Sequence, residues 1–465
     1  YLGVFYVLNF SSLLWGIYIF PWWTSDIFGE TKFIAKVFTF IEIHQLAISE
    51  DFVRKIWFFA YSLRELLISF IYTFAIVYWI FCLFHDKCEK AILLAGKAIC
   101  YDFLIIFPYA CIEVCYLLGA DWAKEILSVV NPLLYDVASA HNWWPPLLWE
   151  NQMRNLFAEP SFFGAWLAII MPILWYYLIF RKEKILFGVI ICFISYCMVF
   201  FTVARTALCL AIGEISLLII ISFWIWNKLI IKKTLMICSC FILAFSTILL
   251  FNSYKENSNS KIENYITNNV SSNIINYVEN NALNVTSPKA RSNQARYSNM
   301  LAHIKSGMYS PILGLSSTLV KAYLPYYFPP ESFNNYEISN WINLQHKQGF
   351  LSNPIPSLSE YPVRFAEKGI LGLLIYLFPF LIGIYRLSYV LYRYKKAKQV
   401  ILPLCLWISF TGGCVLGFSV PLNLFGFWII FGMVFCCGQY FSTTNELINS
   451  DLGNISRRDK ATLNN

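Results

Sequence analysis

Charged side chains are scarce in this sequence. Only 13% of its 465 residues are Asp, Glu, Lys or Arg, whereas 58% are hydrophobic and 18% are aromatic. A soluble protein of this length needs more polar side chains than this to cover its surface, so the composition argues against a set of soluble domains. It is typical of a protein that crosses a membrane many times.

The sequence also lacks the patterns of metal-binding and disulfide-rich proteins. Its fourteen cysteines form no CxxC pair, and several lie inside apolar runs, for example Cys192, Cys238 and Cys436. We interpret them as reduced, small hydrophobic side chains. The net charge of +8 does not require a nucleic-acid partner, because the basic residues cluster in short loops between apolar segments.

Ten apolar segments are long enough to be membrane spans, and together they predict an all-α polytopic membrane protein. The predicted spans are residues 1–20, 64–84, 91–119, 161–180, 185–203, 207–226, 234–251, 369–391, 400–418 and 421–441. Residues 31–55 mix charged and apolar side chains, so we expect an amphipathic helix at the membrane surface there.

Short basic loops give the expected orientation of the chain. Residues 181–184, 227–233 and 393–398 are rich in Lys and Arg, which places them on the cytoplasmic side. The long polar segment then lies outside, as does the short loop around Arg205. The expected organisation is an N-terminal transmembrane bundle, a large outer loop, C-terminal transmembrane helices and a cytoplasmic tail, at residues 1–251, 252–360, 361–441 and 442–465.

Arginines recur on the outer side of this predicted topology. Arg154 is followed by Glu159-Pro160-Ser161 at the entry of a span, and Arg205 lies between two later spans. The large loop carries Arg291 and Arg296, and Arg296 is followed by ten residues and then by Gly307. The loop is closed by Phe365-Ala366-Glu367-Lys368-Gly369-Ile370-Leu371-Gly372, which leads into a span.

In this order and topology, these features resemble the O-antigen polymerase and ligase superfamily of membrane glycosyltransferases. The resemblance covers roughly residues 150–375. It implies a GT-C-like helical bundle with one large periplasmic loop above a cavity that opens to the lipid, in the inner membrane of a bacterium. Ligases carry a histidine shortly before the closing segment, and residues 357–364 contain none. This difference favours a Wzy-type polymerase.

The implied reaction joins two oligosaccharide repeats that are both linked to undecaprenyl pyrophosphate. An acceptor hydroxyl attacks the anomeric carbon of the growing chain, and undecaprenyl pyrophosphate leaves. The implied partners are these donor and acceptor lipids, other membrane lipids and a chain-length regulator. Two alternatives remain: a ligase that transfers the polymer to the lipid A-core, and a lipid-linked oligosaccharide flippase. Paired repeat halves and short outer loops would favour the flippase, and the sequence shows neither.

The leaving pyrophosphate needs fixed cations, and arginine holds phosphate oxygens in a bidentate manner. The candidates for this role are Arg154, Arg205, Arg291, Arg296 and Arg364. The outer loops contain no DxD motif, so we expect no divalent metal and no other cofactor. Four of these arginines also have a simpler explanation: pairing of Arg154 with Glu159, headgroup contact for Arg205, or a solvated helix start for Arg291 and Arg296.

A base must accept the proton of the acceptor hydroxyl, and Glu159 is the candidate because it lies beside Arg154 at the membrane surface. Its alternative role is to stabilise the N-terminus of the following helix. Tyr326 and Tyr327, in an aromatic segment with several prolines, are candidates for stacking on sugar rings. Aromatic side chains at a membrane interface are the alternative interpretation.

Overall fold

The computed structural model describes residues 1–23, 26–29, 32–135, 146–180, 185–259 and 291–442. These residues form helices and turns without a strand. The predicted cytoplasmic tail after residue 442, the loop at 181–184 and the first part of the large outer loop, at 260–290, lie outside the described residues.

The helices of the described chain are numbered from the N-terminus. They are α1 (Leu2–Ile19), α2 (Lys32–Ile43), α3 (Glu50–Phe84), α4 (Cys88–Leu117), α5 (Asp121–Leu134), α6 (Pro160–Phe180), α7 (Ile185–Phe201), α8 (Arg205–Ile225), α9 (Lys228–Asn259), α10 (Arg291–Tyr309), α11 (Val320–Tyr327), α12 (Tyr336–Gln348), α13 (Glu360–Arg393), α14 (Ile401–Leu416) and α15 (Phe425–Ser442).

Eight of these helices are long and apolar enough to cross a membrane, which makes the chain a multi-pass membrane protein. They are α1, α3, α4, α6, α8, α9, α13 and α15. The apolar helices α7 and α14 are shorter. Each of the ten predicted spans coincides with one of these ten helices. Which membrane the chain occupies, and which side each loop faces, stay predictions.

Helix α3 differs from the expectation because it begins at Glu50 instead of residue 64. The Ser49 hydroxyl accepts a hydrogen bond from the amide of Phe52 (3.3 Å), and Glu50 and Asp51 occupy the first turn. An N-cap and acidic residues at this position both stabilise a helix start. The amphipathic stretch at 31–55 is therefore divided between α2 and α3.

The described chain forms two compact units, neither of them continuous in sequence. The first unit contains residues 1–74, 284–382 and 414–423; the second contains 75–283, 383–413 and 424–465. The division into consecutive segments that the sequence suggests stays a prediction. All fourteen cysteines lie within the described residues and are unpaired, as the sequence predicts.

An aromatic cluster fills the core of the first unit. Phe20, Trp23, Phe28, Phe58 and Phe350 are buried against one another. Rings of this kind bury large apolar areas and prefer the edge-to-face and offset contacts that these residues make. This core holds the N-terminal segment against the segment that follows α12.

Helix α6 is the most enclosed of the candidate spans and forms the centre of the second unit. Glycines let its neighbours approach closely. A Cβ at Gly96 of α4 would lie 2.5 Å from the Tyr177 side chain, and one at Gly164 of α6 would lie 2.7 Å from that of Ala207 in α8. Small residues at such crossings are the usual way in which membrane helices pack.

Candidate functional site

Helix α13 is interrupted at Gly369, which has φ +66° and ψ −172°. Only glycine occupies this region without strain. A Cβ at this position would also lie 2.2 Å from the carbonyl carbon of Ile312. The predicted span 369–391 thus begins at the break. The charged segment before it is a separate half-helix, residues 360–368.

The loop before α11 satisfies the backbone groups that the break exposes. The amide of Ile370 donates to the carbonyl of Pro311 (2.7 Å), and the amides of Leu315 and Ser316 donate to the carbonyls of Ala366 and Glu367 (both 2.9 Å). Broken helices persist in membrane proteins only where protein or water satisfies the freed groups, and such breaks often lie beside substrate sites.

Glu360 begins this half-helix and is almost fully buried, with 3% exposure. Its Oε1 accepts from Arg364 Nε (2.7 Å) and from the Tyr376 hydroxyl (2.8 Å), and its Oε2 accepts from the amide of Leu422 (2.9 Å). Three of the four lone-pair positions of this carboxylate are thus occupied. These three contacts give Glu360 a positioning role.

Arg364 lies between two carboxylates. Besides Glu360, it donates from NH1 to Glu367 Oε2 (3.1 Å), and its guanidinium lies 5.3 Å from the centre of the Tyr376 ring. The positive charge of Arg364 is therefore compensated by its own helix. Breaking a buried pair of this kind typically costs about 3–5 kcal/mol, because the remaining charge is left without a partner.

Arg296 reaches the same region from α10. Its NH1 donates to the carbonyl of Ser419 (2.9 Å), in the turn between α14 and α15. The same turn supplies the Leu422 amide to Glu360, and its Gly417 carbonyl accepts from the Glu360 amide (2.8 Å). The structure therefore brings Arg296, Arg364 and Glu360 to one turn within the first unit.

The geometry of α10 gives a physical reason for the spacing between Arg296 and Gly307. Eleven residues at about 100° each return to nearly the same face of a helix. A Cβ at Gly307 would lie 2.7 Å from the Phe365 ring, so the glycine lets α10 lie close against the half-helix of α13. Arg296 projects from the same face toward the turn. Arg291 is the first residue of α10, and its side chain lies outside the described part.

The predicted aromatic loop is largely a helix, α11. Tyr326 is exposed and stacks on Trp22, with ring centres 5.2 Å apart. Tyr327 is half-buried and packs against the core of the first unit. Burial raises the pKa of the Tyr327 hydroxyl. Of the two, Tyr326 presents the ring that is accessible for stacking.

In the second unit, Arg154 is enclosed, with 1% exposure. Its guanidinium donates to the carbonyls of Pro146 and Leu147 (both 3.0 Å) and lies 4.0 Å from the centre of the Tyr135 ring. Burial raises the pKa of the Tyr135 hydroxyl. Through these contacts Arg154 holds the loop before α6. Its role at a pyrophosphate stays a prediction.

Glu113 of α4 fixes the backbone at Arg154. Its two carboxylate oxygens accept from the amides of Arg154 (3.3 Å) and Asn155 (2.8 Å). Asn155 has φ +52° and donates from its side chain to the Ile106 carbonyl (3.1 Å). Glu113 was not predicted from the sequence as a partner of this block, although a carboxylate inside a span is itself a signal of a polar contact.

Glu159 and Arg205 each stand at the start of a helix in the second unit. Glu159 is the N-cap of α6, and its Oε2 accepts from the Ser161 hydroxyl (2.7 Å). Arg205 is the first residue of α8 and is half-buried. The segment around Arg154 and the loop around Arg205 lie next to each other. The Met153 amide donates to the Phe201 carbonyl (2.8 Å), and Gly164 packs against the loop 202–204.

The described residues contain no group of three or more His, Cys, Asp or Glu side chains that would hold a metal ion. The expected absence of a cofactor stays a prediction. Glu360 and Tyr376 are the members of the first-unit site that were not predicted from the sequence. A carboxylate four residues before Arg364 on a helix is the signal that could have revealed Glu360.

Comparison with known proteins adds no relative: no protein-family model, no curated protein and no solved structure matches this chain. The family resemblance therefore rests on the sequence motifs alone.

Proposed function

We propose that this chain is a membrane glycosyltransferase that joins oligosaccharides linked to lipid pyrophosphate, as O-antigen polymerases do. The observation that carries the proposal is Arg296, whose guanidinium is directed at one backbone carbonyl, that of Ser419, beside the broken helix α13. Among the described residues it makes no ion pair.

The surroundings of the arginines decide which of them suits an anionic leaving group. Arg364 is compensated by Glu360 and Glu367, and Arg154 is enclosed by two carbonyls and a ring. Arg296 is only half-buried and donates to a neutral group, so its charge and its remaining N–H groups suit a phosphate oxygen. We therefore assign Arg296 to the pyrophosphate and Arg364 to the support of the turn.

The proposed reaction requires the site to stabilise the negative charge that develops on the leaving pyrophosphate. The acceptor hydroxyl oxygen forms a bond to the anomeric carbon, the bond from that carbon to the pyrophosphate oxygen breaks, and the pyrophosphate keeps the electron pair. A guanidinium fixed in advance stabilises that developing charge. The hydroxyl proton must pass to a base. Glu159 as that base and Arg205 as a phosphate ligand both belong to the second unit, and their roles stay predictions from the sequence.

The proposal includes a GT-C-like bundle in a bacterial inner membrane with the site on the periplasmic face. The partners are undecaprenyl-pyrophosphate-linked donor and acceptor and a chain-length regulator. Support comes from the motif order, from the adjoining motifs at Arg154 and Arg205, and from the aromatic surface at Tyr326.

Deletion of the gene separates the candidate functions through the lipopolysaccharide that remains on a gel. Loss of a polymerase leaves core with a single repeat. Loss of a ligase leaves bare core while finished polymer accumulates on its lipid carrier. Loss of a flippase leaves bare core without that polymer. The last two patterns would each overturn the polymerase proposal.

Complementation of the deletion strain with Arg296→Lys tests the assigned residue. Lysine keeps the charge but lacks the planar fork, so we expect short chains or single repeats. Arg64→Lys, an exposed arginine in the same unit, is the matched control and is expected to restore the normal ladder. A normal ladder from Arg296→Lys at equal protein level would remove Arg296 from the site.

A further inference from the structure

A pocket of about 430 Å³ lies in the second unit, between the C-terminal ends of α13 and α15. It is lined by Arg386, Arg393, Tyr389 and Tyr394 on one side and by Gly438 on the other. None of these residues belongs to the site described above.

The pocket carries positive charge without a balancing acid. Arg386 and Arg393 are seven residues apart, so they share one face of α13 and are separated by about 10 Å along its axis. The described residues that line the pocket include no Asp or Glu. Arg393 donates to the Tyr389 hydroxyl (2.7 Å), which directs its guanidinium along this face. Arg386 is exposed and forms no ion pair with the described residues.

The position of the pocket on the helices corresponds to the membrane surface. The apolar part of α13 ends in this region, and Tyr385 and Tyr389 are exposed there, with 71% and 48% of their surface accessible. Exposed tyrosines of this kind mark the headgroup layer. Lys395 follows directly and lies 5.5 Å from the centre of the Trp224 ring. The ligand of the pocket is therefore one that the headgroup layer supplies.

We propose that this pocket binds the phosphate group of an anionic phospholipid. Two guanidinium groups and a tyrosine hydroxyl supply the donors, and the opening between the two helices admits a headgroup. The simpler alternative is that both arginines extend independently into the headgroups of any lipid. The two explanations differ in whether the space between the helices matters.

Gly438 provides a test of that space. A Cβ at this position would lie 3.5 Å from Arg386 Cδ, which is an ordinary contact, so Gly438→Ala fits. The longer side chain of Gly438→Met fills the pocket and leaves both arginines in place. The experiment is native mass spectrometry of the purified full chain with equal amounts of cardiolipin and phosphatidylcholine.

We expect wild type, Gly438→Ala and the charge control Lys347→Gln to retain cardiolipin in preference to phosphatidylcholine. Arg386→Gln and Arg393→Gln should each weaken cardiolipin binding about five-fold, and Gly438→Met should weaken it with its charge intact. Unchanged cardiolipin binding in Gly438→Met, or in the double variant Arg386→Gln/Arg393→Gln, would overturn the proposal that the pocket binds the lipid. Displacement of the lipid by glycerol 3-phosphate at equal concentration would show a site for free phosphates and overturn the lipid assignment.

Discussion

At the scale of single residues, the contacts of a charged side chain decide its role more than its position in the sequence does. Arg154, Arg296 and Arg364 look alike in the sequence as outer arginines. In the structure one holds loop carbonyls, one is directed at a single carbonyl, and one lies between two carboxylates. Buried charge is stable only with partners, so these partners determine which guanidinium remains available for a ligand.

Two buried glutamates in the second unit provide a stability test of this argument. Glu113 accepts two backbone amides, whereas neither oxygen of Glu214 has a hydrogen-bond partner within the described part of the chain. Glu113→Met should therefore destabilise the protein by about 2–5 kcal/mol, because two amides lose their acceptor. Glu214→Met should leave stability unchanged or raise it.

Thermal unfolding of both variants in detergent measures the difference. The two positions serve as controls for each other, since both are almost fully buried in candidate spans. A larger loss of stability in Glu214→Met than in Glu113→Met would contradict the prediction and indicate a bound partner at Glu214.

His303 of α10 makes the stability of the first unit depend on pH. Its Nδ1 is hydrogen-bonded to the Asn299 carbonyl (2.8 Å), and burial lowers the pKa of the imidazole from 6.5 to about 4. The unfolded chain therefore binds this proton more readily than the folded chain does. The stabilising contribution is complete above pH 6.5 and is lost as the pH falls toward 4, by about 3 kcal/mol in all.

Chemical or thermal unfolding between pH 7 and pH 4 measures this dependence. His303→Gln should flatten the curve over that interval, and His346→Gln, at an exposed histidine of α12, should leave it unchanged. An equally steep curve in His303→Gln would assign the pH dependence to other groups.

At the scale of the elements, the break in α13 is the feature that positions the first-unit site. The half-helix before Gly369 carries Glu360 and Arg364. The loop at 311–316 forms hydrogen bonds with the backbone groups that the break exposes. A continuous helix would leave those loop amides without acceptors. Hydropathy placed the start of the predicted span at this glycine, but it did not reveal the helical segment before it.

Gly369→Ala tests the break. Alanine at φ +66° and ψ −172° is strained, and its Cβ would meet the Ile312 backbone, so we expect a loss of at least about 3 kcal/mol in unfolding free energy. Gly213→Ala is the control, because it lies in α8 with open space around it and alanine favours a helix. Thermal unfolding of the two variants should shift in opposite directions. A Gly369→Ala variant as stable as the wild type would contradict the prediction, because it would show that the break at this position does not require glycine.

At the scale of the whole molecule, the ten apolar helices and the loop charges predict a single orientation. The basic loops between these helices assign one side to the cytoplasm, and the loops that alternate with them then face the other side. The long polar segment after α9 then faces outward, which the proposed function requires.

Reporter fusions test this orientation. Alkaline phosphatase fused after Asn259 should be active, since it is exported, and the same enzyme fused after Trp226 should be inactive. A fluorescent protein fused after Ser442 should fluoresce. Activity at Trp226 instead of Asn259 would reverse the orientation and move the arginine site to the cytoplasmic face.

The sequence alone determined the spans, because membrane insertion depends on hydropathy summed over about twenty neighbouring residues, which is a local property. The pairing of Arg296 with Gly307 came from the resemblance to O-antigen polymerases, and the structure supplied its physical reason. Only the tertiary structure decided that Arg296 meets Ser419, that Glu113 holds the Arg154 backbone and that Glu360 joins Arg364 to the turn. Most of these contacts join residues far apart in sequence, and a local pattern carries no information about such partners.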